Sequence, residues 1–146
     1  MRSVGMKDMR ARLSLLWIFA MFNYLYCDIV GLMDSGLLRQ YLAGSVNGMD
    51  ISREFLLGAS VLMEIPIAMI LASRLLERRA GRWANIVAGT VMTVVQLATL
   101  FAGSPAGYYL FFSILEILCT ALIVRYAWTW RAAETTPAPD PSLLPG

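Results

Sequence analysis

The stretch FLLGASVLMEIPIAMILAS, residues 55–73, decides the fold class. Its nineteen residues hold one ionisable group, Glu64. As a helix rising about 1.5 Å per residue, it is long enough to cross roughly 30 Å of hydrocarbon. Lipid offers no hydrogen bonds, so each backbone N–H and C=O must pair within the segment, and helix is the conformation that achieves this. Three further runs share the character: residues 13–33, 83–103 and 108–130. The chain therefore reads as all-α, a four-helix transmembrane bundle spanning residues 13–131. The second and third connections (Arg74 to Arg82, Ser104 to Gly107) are short, which makes the spans they join antiparallel neighbours.

Composition agrees. The 146 residues are 58% apolar and 15% charged, with a mean hydropathy of +0.63, whereas a soluble domain carries about a quarter charged residues. A net charge of +2 is too slight to indicate nucleic acid as a partner. The absence of histidine removes the commonest metal ligand and the usual neutral-pH proton shuttle. The two cysteines, Cys27 and Cys119, lie in apolar segments at different depths and read as small packing residues rather than a disulfide. No phosphate loop, nucleophile–base set or cofactor motif is present, so neither a metal nor a cofactor is expected.

The arginines set the orientation. The basic arm of residues 1–12 carries Arg2, Lys7, Arg10 and Arg12, and the second connection carries Arg74, Arg78, Arg79 and Arg82. Arg131 follows the fourth span. The first loop has only Arg39 and Arg53, and the third none. The positive-inside rule then predicts both termini in the cytoplasm of a cell with an inner membrane. Trp17, Trp83, Trp128 and Trp130 would line the cytoplasmic interface, and Tyr41, Tyr108 and Tyr109 the outer one. The first span has no small-residue cleavage site after it and reads as a retained helix rather than a signal peptide. In the outer loop, Asp34 is placed to cap a short interfacial helix with Leu37, Leu38, Tyr41 and Leu42 on its apolar face. Gly44 to Gly48 then turns the chain, and Asp50 or Ser52 caps the second span. The tail of residues 132–146, with four prolines, is expected to be disordered.

Three carboxylates fall inside these spans, and an ionisable group in hydrocarbon rarely sits there without a partner or a use. Counted inward from the outer face, Asp28 lies roughly 8 Å down, Glu116 roughly 12 Å and Glu64 roughly 14 Å. In the fourth span Tyr109, Ser113, Glu116 and Thr120 form one polar stripe at helical spacing. The second span offers Ser60, Glu64, Ala68 and Ala72, a small-residue face suited to close packing. The third has Asn85, Gly89, Thr93 and Gln96 on one side, and the first has Asn23 and Cys27, with Tyr24 and Asp28 turned somewhat away. The expectation is a polar interior layer of Glu64, Glu116 and Gln96, with Asp28 at its outer mouth. Ser113, Thr120 and Asn23 belong to the same candidate site. Two carboxylates in a dry interior cannot readily both be ionised, so Glu64 and Glu116 are expected to share a proton. Pro66 frees a carbonyl near Leu62 and adds polarity beside Glu64.

Several segments carry a resemblance: Leu16-Trp17-Ile18-Phe19 through Tyr26 with Asp28, Met63-Glu64-Ile65-Pro66-Ile67-Ala68-Met69, Arg82-Trp83-Ala84-Asn85-Ile86, and Tyr108-Tyr109-Leu110-Phe111-Phe112 with Glu116. The chain resembles an uncharacterised family of small four-span bacterial membrane proteins, which implies the fold and nothing catalytic. In layout alone it resembles DoxX-like proteins and sterol-isomerase-type bundles. Three functions fit these residues. The favoured one is a binding or transport bundle that holds a proton, a cation or a small amphipathic ligand at the acids. The second is a membrane enzyme using the glutamates as acid and base on a lipid-like substrate. The third is a structural or accessory subunit. Besides the lipid bilayer the expected partner is a small molecule or ion, and transport by so small a bundle calls for a homodimer.

Overall fold

The computed structural model describes residues 2–101 and 105–130. The expected disordered tail, together with Arg131 and Ser104, lies outside the described residues. Helix α1 (Arg2–Met33) continues without a break through the basic arm and the first apolar run. Helix α2 (Ser35–Leu42) follows, then the short strands β1 (Ser45–Val46) and β2 (Met49–Asp50). Three long helices complete the described chain: α3 (Arg53–Leu75), α4 (Arg78–Phe101) and α5 (Gly107–Thr129).

The loop between α1 and α3 is ordered by local chemistry. Asp34 caps α2: its Oδ1 accepts from the backbone N–H groups of Gly36 at 2.8 Å and Leu37 at 3.3 Å. These are two of the four N–H groups that a helix start leaves without a partner. Strands β1 and β2 pair antiparallel through Asn47-Gly48, both at positive φ (51° and 79°). That conformation suits the right-handed twist of a two-residue hairpin, and Asn-Gly is the residue pair best able to adopt it. Ser52 caps α3, its Oγ accepting from Phe55 N–H at 3.1 Å.

Helices α1, α3, α4 and α5 close a ring. The extensive interfaces are α1 with α3, α3 with α4, α4 with α5, and α5 with α1, which leaves α3 and α5 across the bundle from each other. All four are long and apolar enough to cross a membrane. The distribution of polarity confirms the solvent. Phe19, Phe22, Leu25, Leu57, Val61, Leu71, Val87, Val94, Phe111 and Leu118 are exposed, whereas Ser14, Ser73, Asn85, Gln96, Ser113, Glu116 and Thr120 are buried. A water-soluble protein does the opposite, so lipid surrounds this bundle and the four helices are its membrane spans.

The structure corrects three expectations. The arginine-rich turn is only Leu76 and Glu77, because α4 already starts at Arg78. Trp17 and Trp130 are buried rather than interfacial, while Trp83 and Trp128 are exposed as expected. Trp17 is drawn inward because its indole N–H donates to Asn85 Oδ1 at 2.8 Å. The third correction concerns α3, whose buried residues are Pro66, Met69 and Ser73, so that the Ser60–Glu64–Ala68 face points outward. The inward face wins because it bonds to its neighbours as well as packing. Ser73 Oγ donates to Asn85 Oδ1 at 3.0 Å, and the Ile70 carbonyl accepts from Ser14 Oγ at 2.9 Å. Pro66 and the partly buried Leu62 share that inward face, whereas Glu64 is exposed.

Candidate functional site

Polar side chains of α4 and α5 meet in rungs that descend from the loop end of the bundle. At the top, the Tyr109 hydroxyl donates to Thr99 Oγ1 at 2.8 Å. Below it, Gln96 Nε2 donates to Ser113 Oγ at 2.8 Å. Further down, the Thr93 and Thr120 hydroxyl oxygens approach to 2.7 Å. The rungs recur because Thr99, Gln96 and Thr93 are three residues apart on α4, while Tyr109, Ser113, Glu116 and Thr120 follow at four, three and four on α5. Both spacings keep residues on one helix face. The helices can approach because α4 carries Gly89, where an added Cβ would stand 2.8 Å from Val124 Cγ2 and 3.3 Å from the Thr120 carbonyl oxygen.

Glu116 sits in this column, nine residues into α5 from Gly107. It is 1% exposed, and its Oε1 is buried without a hydrogen-bond partner. Neither neighbour on the stripe bonds that oxygen: Ser113 Oγ accepts from Gln96, and the Thr120 hydroxyl donates to the backbone carbonyls of Glu116 and Ile117. From α1 the nearby groups are Tyr24 and Cys27, both buried and both within electrostatic reach of the Glu116 carboxyl. Tyr24 is 6% exposed, and its hydroxyl too lacks a hydrogen-bond partner. Leaving such groups unpaired away from water costs about 1–3 kcal/mol each, and one α1–α4–α5 interface holds two of them.

Above the column lies a cleft of about 480 Å³ whose lining includes Asp34, Gln40, Tyr41, Thr99, Tyr108 and Tyr109. Thr99 and Tyr109 thus belong both to the cleft and to the first rung. Asp28 is exposed near this mouth, within electrostatic reach of both Glu116 and Tyr41. Burial holds the Tyr41 phenol above its usual range, and the negative charge of Asp28 pushes in the same direction.

The residues expected to form the site divide accordingly. Glu116, Gln96, Ser113 and Thr120 come together between α4 and α5, and Asp28 lies toward the mouth. Asn23 is buried, but its amide donates to the Phe19 carbonyl of its own helix at 2.8 Å. Glu64 leaves the set: it is exposed, on a helix across the ring from α5. The expected Glu64–Glu116 pair with a shared proton is therefore not formed within one chain. Tyr24 is the residue that sequence reasoning turned away from the site. The signal for it exists, since Leu13, Trp17, Ala20, Tyr24 and Cys27 follow at four, three, four and three residues and are all buried, the spacing of a packed helix seam. Cys27 and Cys119 are both free and buried, and the Cys119 thiol donates to the Leu16 carbonyl at 3.2 Å. No cluster of potential metal ligands occurs among the described residues.

No curated protein and no solved structure matches the chain. Residues 2–136 do match the sequence model of one family, covering all four spans. This membrane protein therefore belongs to the family described as a family of unknown function, DUF6326.

Proposed function

We propose that this protein is a small binding or transport bundle of a cell's inner membrane, with its arginine-rich end and both termini in the cytoplasm. Its site is the α1–α4–α5 interface around Glu116, and its ligand is a proton or a small cationic hydrogen-bond donor such as an amphipathic amine. The buried Glu116 Oε1 without a partner carries the reading. A carboxylate oxygen accepts hydrogen bonds only, so a guest there must donate one, and a protonated amine can also reach the equally unpaired Tyr24 hydroxyl. The cleft at the loop end and the polar rungs beneath it place polar groups of matching chemistry on the side from which such a guest would enter. The enzyme reading loses its acid–base pair with the outward turn of Glu64.

Native mass spectrometry and infrared difference spectroscopy test this on purified wild type, Glu116→Gln and Glu64→Gln. The expected result is a co-purified small molecule, or a pH-dependent carboxyl C=O band, that Glu116→Gln loses and Glu64→Gln keeps. Identical bound species and identical bands in wild type and Glu116→Gln overturn the proposal.

A further inference from the structure

Glu64 lies eleven residues after Arg53 and eleven before Leu75, at the midpoint of α3. It faces out of the bundle at the depth where a carboxyl group is most costly in lipid. No described residue hydrogen-bonds its side chain, and the nearby Ser60 hydroxyl is already used by the Leu56 carbonyl at 2.8 Å.

The residues around it form a pattern. Leu57, Val61, Glu64, Ala68, Leu71 and Leu75 follow at four, three, four, three and four residues, and all six are exposed. This 3.5-residue repeat is the seam along which two helices pack knobs into holes. The bundle uses the same repeat internally, where Leu13, Trp17, Ala20, Tyr24 and Cys27 of α1 are all buried. On α3 an equivalent seam is complete and unoccupied within one chain, and Ala68 beside Glu64 lets a second backbone come close.

We infer that this seam is a homodimer interface, in which α3 packs parallel against α3 of a second copy and the two Glu64 carboxyl groups meet at the two-fold axis. Three observations select a second copy over another occupant. The arginine bias orients every copy alike, so two α3 helices side by side are parallel and their Glu64 residues share one depth. A protonated carboxyl group is complementary to itself: with both groups protonated, the O–H of each donates to the carbonyl oxygen of the other, so the pair is satisfied and carries no charge into hydrocarbon. The remaining seam residues are apolar, so they offer nothing that would single out a polar or charged partner. The interface is independent of the Glu116 site, since α3 lies across the ring from α5.

The test uses the full chain in membranes. In a background carrying Cys27→Ala and Cys119→Ala, single cysteines replace Leu57, Val61, Ala68 or Leu71, with Leu97→Cys and Leu118→Cys on the lipid faces of α4 and α5 as controls. Copper-phenanthroline oxidation is expected to give covalent dimers at the seam positions and none at the controls. Single-molecule photobleaching in liposomes should show two steps for the otherwise unaltered protein and for Glu64→Gln, which keeps a hydrogen-bonding side chain. Glu64→Leu should lower the dimerisation constant about tenfold. Cross-links equally frequent at controls and seam, a cross-link to a different protein, or single-step bleaching of the wild type each overturn the inference.

Discussion

Asn85 is the residue on which the arginine-rich half of the bundle converges. Its Oδ1 accepts from Trp17 of α1 at 2.8 Å and from Ser73 of α3 at 3.0 Å, while its Nδ2 donates to the Gly81 carbonyl at 2.8 Å. One fully buried amide thus joins three helices with every partner satisfied, whereas Glu116, equally buried, keeps an oxygen unpaired. That difference separates the structural polarity of Asn85 from the unpaired polarity on which the proposed site rests. Asn85→Ala strands two buried donors and should cost about 1–3 kcal/mol of stability, measured by unfolding in mixed micelles. Trp17→Phe should cost less, because Ser73 still occupies the Asn85 oxygen. Equal losses in the two variants would place the effect in packing around the indole rather than in the amide.

At the scale of elements, the same residue type does opposite work on two helices. Gly89 lies where α4 and α5 approach, and a methyl group there meets Val124 at 2.8 Å. Gly58 on α3 has nothing within 4 Å of an added Cβ. Gly89→Ala should therefore destabilise by about 1–3 kcal/mol through overpacking and loosen the Thr93–Thr120 rung below Glu116. Gly58→Ala should be neutral or stabilising by up to about 1 kcal/mol, since alanine costs less conformational entropy in a helix. Thermal unfolding of the two variants in one detergent checks the sign of each. The loop elements were legible because their signals are local: Asp34 as a cap, and a turn within Gly44 to Gly48. The residues that α3 buries were not legible, because Ser60, Glu64 and Ala68 make as regular a face as the one the fold selects.

The whole molecule is a ring of four spans with its polar groups inside and its large apolar side chains facing lipid. Arg74 of α3 and the arginines of α4 gather at one end. There the Arg82 guanidinium lies 5.9 Å from the centroid of the Trp128 ring, and Arg74 Nε donates to Ser14 Oγ at 3.2 Å. The hairpin and α2 lie at the other end. With the arginines in the cytoplasm, a single cysteine at Asn47 should react with an impermeant maleimide in intact cells, and one at Arg79 only after permeabilisation. The reverse pattern would invert the proposed orientation and place the cleft on the cytoplasmic side.

The sequence by itself determined the class of solvent, the number of spans and the polar stripe on α5. Each of these depends on interactions within a segment: apolar length against bilayer thickness, helical spacing on one face, and capping a few residues away. Only the tertiary structure decided which helices are neighbours, and neighbours decide which polar groups come together here. With α3 and α5 across the ring, Glu64 and Glu116 share a similar depth and still never meet. With α1 packed against α5, Tyr24 joins the site in place of Glu64. Depth follows from counting residues along one helix, but the direction in which a side chain points is settled by the competition among all its faces for contact. On α3 that competition was won by Met69, Pro66 and Ser73.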